Sequence, residues 1–278
     1  MRRKLLLDGG AFFEGPRWHE GRLWCSDMHG RQVMTVGLDG RSEVVAEVPN
    51  RPSGLGWLPS GELLVVSMSD RKLLRLEKGG LAEHADLSGV ADHECNDMVV
   101  DRHGRAYVGH FGFDHFAHGD FRPASIIAVE PDGEVRIAAS DLMFPNGTVI
   151  TDDGRTLIVA ESYGWRLTAF DVEADGSLSG RRLWADIGMA PDGICLDREG
   201  CVWVASPTGR TFVRFAEGGS LLQRIDVGRR AIACMLGGAD GRTLFMLTSD
   251  TIEAARSTSL MSARIETVRV GQPAAGLP

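Results

Sequence analysis

Short apolar runs separated by glycine-containing turns recur along the whole chain. In the first repeat, apolar or aromatic positions cluster at 14–18, 23–26, 32–37 and 43–48, and Gly, Asp or Pro stand at the boundaries. Runs of this length and composition predict four short β-strands. Helical periodicity is weak throughout. Residues 250–261 could hold a helical turn, but we expect a loop there.

The most regular part of each repeat is one residue, a short apolar strand and a turn that ends in Gly. Aligned on that glycine, the first position of the motif, which we call the slot, holds Glu14, Ser53, Asn96, Asn146, Asp192 and Ala233. The copies lie 39, 43, 50, 46 and 41 residues apart. A period of ~40–50 residues with four strands per unit is typical of a β-propeller blade. We therefore predict an all-β, six-bladed β-propeller with four antiparallel strands per blade, forming one domain over residues 1–278.

The sixth repeat contains only three candidate strands of its own, at 233–236, 244–248 and 263–270. Residues 4–7, at the other end of the chain, supply a plausible fourth strand. Closing the ring in this way removes two open sheet edges, which would otherwise be free to pair with other chains.

Equivalent positions of the innermost strands face one central tunnel in a propeller, so distant side chains meet there. The slot residues Glu14, Asn96, Asn146 and Asp192 all carry oxygen. Two carboxylates in a narrow tunnel repel each other and lose hydration, and a divalent cation would resolve both problems. Oxygen ligands suit Ca²⁺, Mg²⁺ or Mn²⁺. Three or four protein ligands would leave coordination positions for water and substrate, as in a catalytic site.

The alternative is that Asn146 and Asp192, each followed by Gly, are ordinary turn residues. The repeat favours the metal site, because the slot precedes an apolar strand and the proper turn comes eight residues later. By the same strand order, loops between second and third strands border the tunnel mouth. These loops carry candidate substrate contacts, namely His29, His110, Phe113, Tyr163 and Trp165. The longest of them, residues 110–123, is rich in aromatic side chains and predicts a lid or a substrate wall.

Composition excludes several classes of function. A net charge of −8 and a pI near 5.5 argue against nucleic acid or an anionic membrane as partner. The five cysteines are odd in number and lack zinc-type spacing, which indicates a reducing compartment. No signal peptide or membrane span is evident, so we expect a cytoplasmic protein, either a monomer or a small homo-oligomer. Serine-hydrolase and nucleotide-binding motifs are lacking.

Four blocks of the sequence resemble the signatures of the regucalcin/gluconolactonase family, six-bladed propellers related to diisopropylfluorophosphatase. They are Glu-Gly-Pro-Arg-Trp at 14–18, Cys-Asn-Asp at 95–97, Phe-Pro-Asn-Gly at 144–147 and Pro-Asp-Gly-Ile at 191–194. The resemblance implies one divalent metal, with Ca²⁺ expected first and Zn²⁺, Mn²⁺ or Fe²⁺ as alternatives, held by Glu14, Asn146 and Asp192. Asn96 would be a further ligand or substrate contact. Members of the family hydrolyse lactones, often those of sugar acids.

The expected chemistry is opening of a lactone or ester by water. Asp192 would act as a metal ligand and general base, or as the nucleophile, and Asn96 would orient the substrate. Sugar-lactonase members carry Arg two positions before the residue that matches Asn96, where this chain has Glu94, which is the sixth candidate substrate contact. This departure weakens the expectation of a sugar substrate, and the aromatic loops fit a less polar one. A phosphotriesterase- or arylesterase-like hydrolase and a non-catalytic ligand-binding propeller remain as alternatives.

Overall fold

Twenty-four strands form six four-stranded antiparallel sheets within residues 2–277, the part of the chain that the computed structural model describes. Blade one contains β2 to β5, which span Phe13–His19, Arg22–Asp27, Gln32–Val36 and Ser42–Glu47. Blade two contains β6 to β9, which span Pro52–Trp57, Leu63–Ser67, Lys72–Glu77 and Gly80–Asp86. Blade three contains β10 to β13, which span Cys95–Val100, Ala106–His110, Ala124–Val129 and Val135–Leu142. Blade four contains β14 to β17, which span Pro145–Ile150, Thr156–Glu161, Arg166–Val172 and Leu178–Asp186. Blade five contains β18 to β21, which span Ile194–Leu196, Val202–Ser206, Thr211–Phe215 and Leu221–Asp226. The predicted six-bladed propeller is confirmed.

The sixth blade is built from both ends of the chain. It contains β22 (Arg230–Gly237), β23 (Thr243–Ser249) and β24 (Ala263–Arg269), and β1 (Lys4–Gly10) is its outermost strand. β1 pairs antiparallel with β24, with Lys4 opposite Thr267 and Gly10 opposite Ala263. The predicted closure of the ring by the N-terminal strand is therefore confirmed.

Each turn that ends the repeated motif has a simple local cause. In blade three, Asp101 follows the innermost strand, and its Oδ1 accepts hydrogen bonds from the amides of His103 (2.8 Å) and Arg105 (2.9 Å). Gly104 closes this turn with φ of +88°, a conformation that residues with a Cβ rarely adopt. Asp197 holds the equivalent turn of blade five by accepting the amide hydrogen bonds of Glu199 and Cys201. These turns send the chain into the second strand of each blade.

The hydrophobic core lies between the faces of neighbouring blades, where Trp203, Phe212 and Phe245 are fully buried. At the end of the tunnel remote from the slots, the C-terminal segment crosses several blades. Leu277 forms a bridge with Ile150 at the end of β14, and Ala274 forms one with Asp197. The opposite end of the tunnel, where the innermost strands begin, remains bordered by loops.

The expectation of a plain loop at residues 250–261 was wrong. The segment between β23 and β24 contains the short helix α1 (Ala254–Leu260), and Met261 ends it in the left-handed conformation. Alanine, arginine and leucine favour a helix locally, and the hydroxyl of Ser257 donates to the carbonyl of Glu253. Two turns are too short to produce a visible periodicity in the sequence. Within residues 2–277, no helix has the length and apolar character needed to cross a membrane.

Candidate active site

A cavity of about 320 Å³ opens at the end of the tunnel where the innermost strands begin. Four of the five slot residues with side-chain oxygen line it, together with aromatic and aliphatic side chains from the surrounding loops, and Ser53 is the slot residue with oxygen that does not. The slot residues are Glu14, Asn96, Asn146 and Asp192. The other lining residues are Phe12, Met28, His29, Phe111, His115, Phe116, Phe144, Ser162, Tyr163, Trp165, Ala190, Pro191, Pro207, Thr208, Arg230 and Ile252.

The slots meet because the innermost strands start almost in contact. A Cβ on Gly147, next to the slot of blade four, would lie 2.7 Å from the carbonyl oxygen of Asp192 in blade five. A Cβ on Gly15, next to the slot of blade one, would lie 2.5 Å from the carbonyl oxygen of Ser53 in blade two. Only glycine permits backbones to approach so closely. The glycine after the slot therefore lets neighbouring strands converge on the cavity.

Regular strand pairing is interrupted just beyond the slot in several blades. The register shifts between Glu14 and Arg17 in blade one, and between Pro145 and Thr148 in blade four. Blade three has the same interruption between Cys95 and Met98. β-Bulges re-aim side chains and are frequent next to active sites. The repeated bulge explains why the slot side chain faces the cavity although its neighbours belong to a regular sheet.

Glu14, which is buried, and Asp192, which is half-buried, form an acidic pair. Burial raises the pKa of Glu14 well above its ordinary value, and the negative charges of Asp192 and Asp97 raise it further. The pKa of Asp192 is raised to about 8, first by burial and then by the charge of Asp97, while a hydrogen bond with Asn146 opposes the rise. Without a counter-charge, the Asp192 carboxyl therefore keeps its proton at neutral pH.

The two amide side chains are held by neighbouring blades. The Asn146 amide nitrogen donates to the Ser162 hydroxyl at 3.2 Å, and that hydroxyl donates to the carbonyl of Pro191 at 2.7 Å, directly before Asp192. The hydroxyl of Ser53 lies 3.4 Å from the Asn96 side-chain oxygen. Two blades are thus tied together on each side of the site. The tie fixes the amides beside the acidic pair.

This donor set fits a hard divalent cation. It offers carboxylate and amide oxygens, and the pKa values of both carboxylates remain raised although the charge of Arg17 opposes the rise at Glu14. Within residues 2–277 no group of three or more His, Cys, Asp and Glu could hold a metal. The site has only two acids, Glu14 and Asp192, and the amides of Asn96 and Asn146 complete it. Its composition therefore differs from that of a structural zinc site.

Three of the six expected substrate contacts border the cavity and three do not. His29, Tyr163 and Trp165 are lining residues, whereas Glu94, His110 and Phe113 lie outside. Glu94 forms an ion pair with Arg51. His110 is buried against the Ser125 hydroxyl at 2.9 Å. Phe113 packs edge-on against the ring of Tyr163 behind the wall, with ring centroids 5.6 Å apart.

Several lining residues were not singled out from the sequence, and three of them share one position in the repeat. Phe12, Phe144 and Ala190 each lie two residues before a slot, and the two phenylalanines form part of the aromatic wall. The same position in blades two and three holds Arg51 and Glu94, which pair with each other. The repeat alignment that revealed the slots would also have revealed these residues, if it had been extended two positions towards the N-terminus. Arg230 does not occupy this position of the repeat.

The fold and the cavity define a six-bladed propeller with an oxygen-lined site at one end of its tunnel. Residues 12–250 match the family described as SMP-30/Gluconolactonase/LRE-like region, so the chain belongs to that family. Regucalcin of Danio rerio is 28% identical over 179 residues, which cover 62% of this chain and 60% of that protein.

A pentonolactonase of Haloferax volcanii is 25% identical over 244 residues, 85% of this chain and 81% of that protein. The structure of a gluconolactonase from Xanthomonas campestris has a TM-score of 0.77 and 27% identity, and the match covers 100% of this chain and 90% of that one. The family match and the similarity to this gluconolactonase structure confirm the resemblance that the sequence blocks predicted.

Proposed function

We propose that the protein hydrolyses a lactone with the help of one divalent cation held by Glu14, Asn146 and Asp192. Asn96 would be a further ligand or a substrate contact. The observation that carries this proposal is the convergence of Glu14, Asn96, Asn146 and Asp192 on one cavity, where burial and neighbouring negative charges raise the pKa of Glu14 and of Asp192. Membership of a family with named gluconolactonase and pentonolactonase relatives supports the reaction class.

When bound, the cation would supply Lewis-acid polarisation of the lactone carbonyl and would lower the pKa of water in the site. Neutralisation of the acidic pair also favours the ionised form of Asp192. A carboxylate oxygen of Asp192 can then accept the proton of the attacking water. The hydrogen bond with Asn146 holds that carboxylate in place.

The reaction adds the water oxygen to the carbonyl carbon and breaks the ring C–O bond. The proton taken by Asp192 passes to the ring oxygen as it leaves, and the product is a hydroxy acid. The Asn96 amide is suited to donate a hydrogen bond to the carbonyl oxygen as negative charge develops on it. Direct attack by Asp192 is the alternative route, and it would incorporate oxygen from the carboxylate in a single-turnover experiment in ¹⁸O water.

The test is a substrate panel with each metal restored to chelated protein. We expect at least one lactone to be opened, and Glu14→Ala and Asp192→Ala each to abolish turnover while leaving the melting temperature of the ring close to that of the parent protein. Asp39→Ala is the matched control, because Asp39 is exposed in the turn between β4 and β5. Activity that survives both slot substitutions or complete chelation would refute the proposal.

The same panel separates the alternative functions. Aryl esters and organophosphates compete with lactones for the same site if the protein is an arylesterase or a phosphotriesterase. Preferred turnover of either would replace the lactonase proposal. No proton release from any substrate with any metal would favour a non-catalytic ligand-binding propeller.

A further inference from the structure

Arg230 lines the cavity but belongs to none of its polar networks. It opens β22, the innermost strand of blade six, whose slot holds Ala233 and therefore brings no oxygen to the site. Blade six instead contributes the half-buried residue Arg230 to the cavity lining. Its position in sequence is unlike that of the other lining residues, since it lies three residues before a slot that carries no ligand.

The other arginines near the site are already paired. Arg17 forms a buried salt bridge with Asp97 at 2.6 Å, and Arg51 pairs with Glu94. Arg229, the neighbour of Arg230 in sequence, bonds Asp250 at 2.7 Å. Within residues 2–277, by contrast, the side chain of Arg230 has no hydrogen bond or ion pair, and no cation contributes to the raised pKa of Asp192. The guanidinium group of Arg230 is therefore not the counter-charge of the acidic pair.

The walls around this guanidinium group are mostly apolar. Phe12, Met28, Phe116 and Ile252 are among the lining residues. His29 also lines the cavity, and both of its buried ring nitrogens lack a hydrogen-bond partner. Burial, followed by the charge of Arg51, lowers the pKa of His29 to about 4, so its ring is neutral at neutral pH. Histidine therefore adds a neutral hydrogen-bonding group, and Arg230 adds the charge.

The charges that line the cavity set a requirement for its ligand. Two carboxylates, Glu14 and Asp192, would balance one divalent cation, which leaves the positive charge of Arg230 in excess. An apolar ligand that filled the cavity would remove water from this guanidinium group and replace none of its hydrogen bonds, at a cost in binding free energy. A ligand carboxylate would replace them with charge-assisted bonds, which the planar guanidinium group can form in pairs.

On the basis of the proposed lactonase function, we infer that the preferred substrates are lactones that carry a carboxylate group on an apolar body, and that Arg230 binds this carboxylate. The aromatic walls accommodate the body of the substrate. The lactone carbonyl lies at the slots, and the carboxylate lies on the side of blade six. Arg230 is a specificity-determining residue in this arrangement and takes no part in bond breaking.

The experiment uses two matched pairs of small probes with the calcium-loaded protein. Phthalan and phthalan-5-carboxylate are cyclic ethers without a carbonyl group, so their binding can be measured by calorimetry without any reaction. Phthalide and 5-carboxyphthalide are the corresponding lactones, for which kcat/KM is measured. D-Glucono-δ-lactone serves as the polyhydroxylated comparison.

We expect phthalan-5-carboxylate to bind about tenfold more tightly than phthalan, because a charge-assisted hydrogen bond is stronger than a neutral one. Arg230→Gln should abolish this difference, and Arg230→Lys should keep part of it. Arg198→Gln is the matched control: it removes the same charge from an exposed turn at the other end of the tunnel and should keep the full difference. Thermal melts of all variants check the fold, and they should agree because Arg230 has no side-chain partner to lose.

The two proposals fail in different ways. Equal binding of the two ethers, binding of neither, or an equal loss in Arg198→Gln would overturn the carboxylate site, whatever the turnover. If the protein binds phthalan-5-carboxylate more tightly than phthalan but opens no lactone, the lactonase function is refuted and the carboxylate site is still supported. Turnover of phthalide equal to that of 5-carboxyphthalide, or a clear preference for gluconolactone, would overturn the substrate class alone.

Discussion

The acidic pair makes the metal-free protein sensitive to pH in a defined direction. Asp192 has an ordinary pKa of 3.8 in the unfolded chain and about 8 in the folded, metal-free protein. Between these values the folded state binds more protons than the unfolded state, so the free energy of unfolding falls as pH rises. Glu14 acts in the same direction, since its pKa is also raised.

The magnitude follows from the pKa of Asp192. Each tenfold change in an ionisation constant is worth about 1.4 kcal/mol, so the loss between pH 5 and pH 8 is at most about 3–4 kcal/mol. For a chain of this size, that loss corresponds to a fall of about 6–16 °C in melting temperature. The double variant Glu14→Gln, Asp192→Asn lacks both titrating carboxyl groups. The prediction therefore concerns the difference in free energy of unfolding between the parent protein and this variant, followed as a function of pH.

The assay is thermal or urea unfolding in a chelator at several pH values from 5 to 8. Added Ca²⁺ should reverse the trend, because a cation binds the ionised pair and competes with protons. At a free concentration 100 times its dissociation constant, the ion would stabilise the fold by about 2.7 kcal/mol. The double variant should lose this gain. A difference between parent and variant that stays constant from pH 5 to pH 8 in chelator would refute the idea that the pKa values of Glu14 and Asp192 are raised in the folded, metal-free protein.

Three further predictions concern the ring and its buried groups. Deletion of residues 1–10 should remove β1 from blade six and lower the melting temperature by several degrees in calorimetry, whereas deletion of residues 1–3 should not; equal values would show that β1 does not stabilise the closed ring. Arg17→Met should cost about 3–5 kcal/mol in urea unfolding, because it leaves Asp97 buried without its partner. Arg269→Met, at an exposed pair with Asp240, should cost less than about 1 kcal/mol, and similar costs for the two variants would contradict the role of burial. All five cysteines are buried, so the native protein should show almost no thiol that reacts within minutes with a chromogenic disulfide, and five after unfolding in guanidinium; rapid reaction of the native protein would contradict this burial.

Much of the fold could be predicted from the sequence because the blade is a repeated local unit. Each copy has apolar alternation and a turn glycine such as Gly104 with positive φ, and several copies add a carboxylate such as Asp101 or Asp197 that accepts amide hydrogen bonds of the turn. Signals that are weak in one copy add up over six copies. The short helix α1 was not predicted, because it occurs only once in the chain and spans only two turns.

The candidate site could be predicted only in part. The slots were found because Glu14, Asn96, Asn146 and Asp192 occupy one position of the repeat, and the structure brings them to one cavity. Their roles as ligands remain predictions. Among the loop residues, His110 and Phe113 point away from the cavity although their neighbours Phe111 and Phe116 line it. Which side of a loop faces the tunnel depends on packing against other blades.

The sequence by itself determined the number of blades, the closure of the ring by a strand at residues 4–7, and the set of oxygen atoms at the slots. These features follow from short-range patterns, since strand alternation, turn residues and their spacing are local properties of the chain. Only the tertiary structure decided that Arg51 pairs with Glu94, that the charge of Asp192 raises the pKa of Glu14, and that Arg230 has no side-chain partner within residues 2–277. Those outcomes depend on distances between side chains of different blades, which are set by burial and by the closed ring and leave no trace in local sequence.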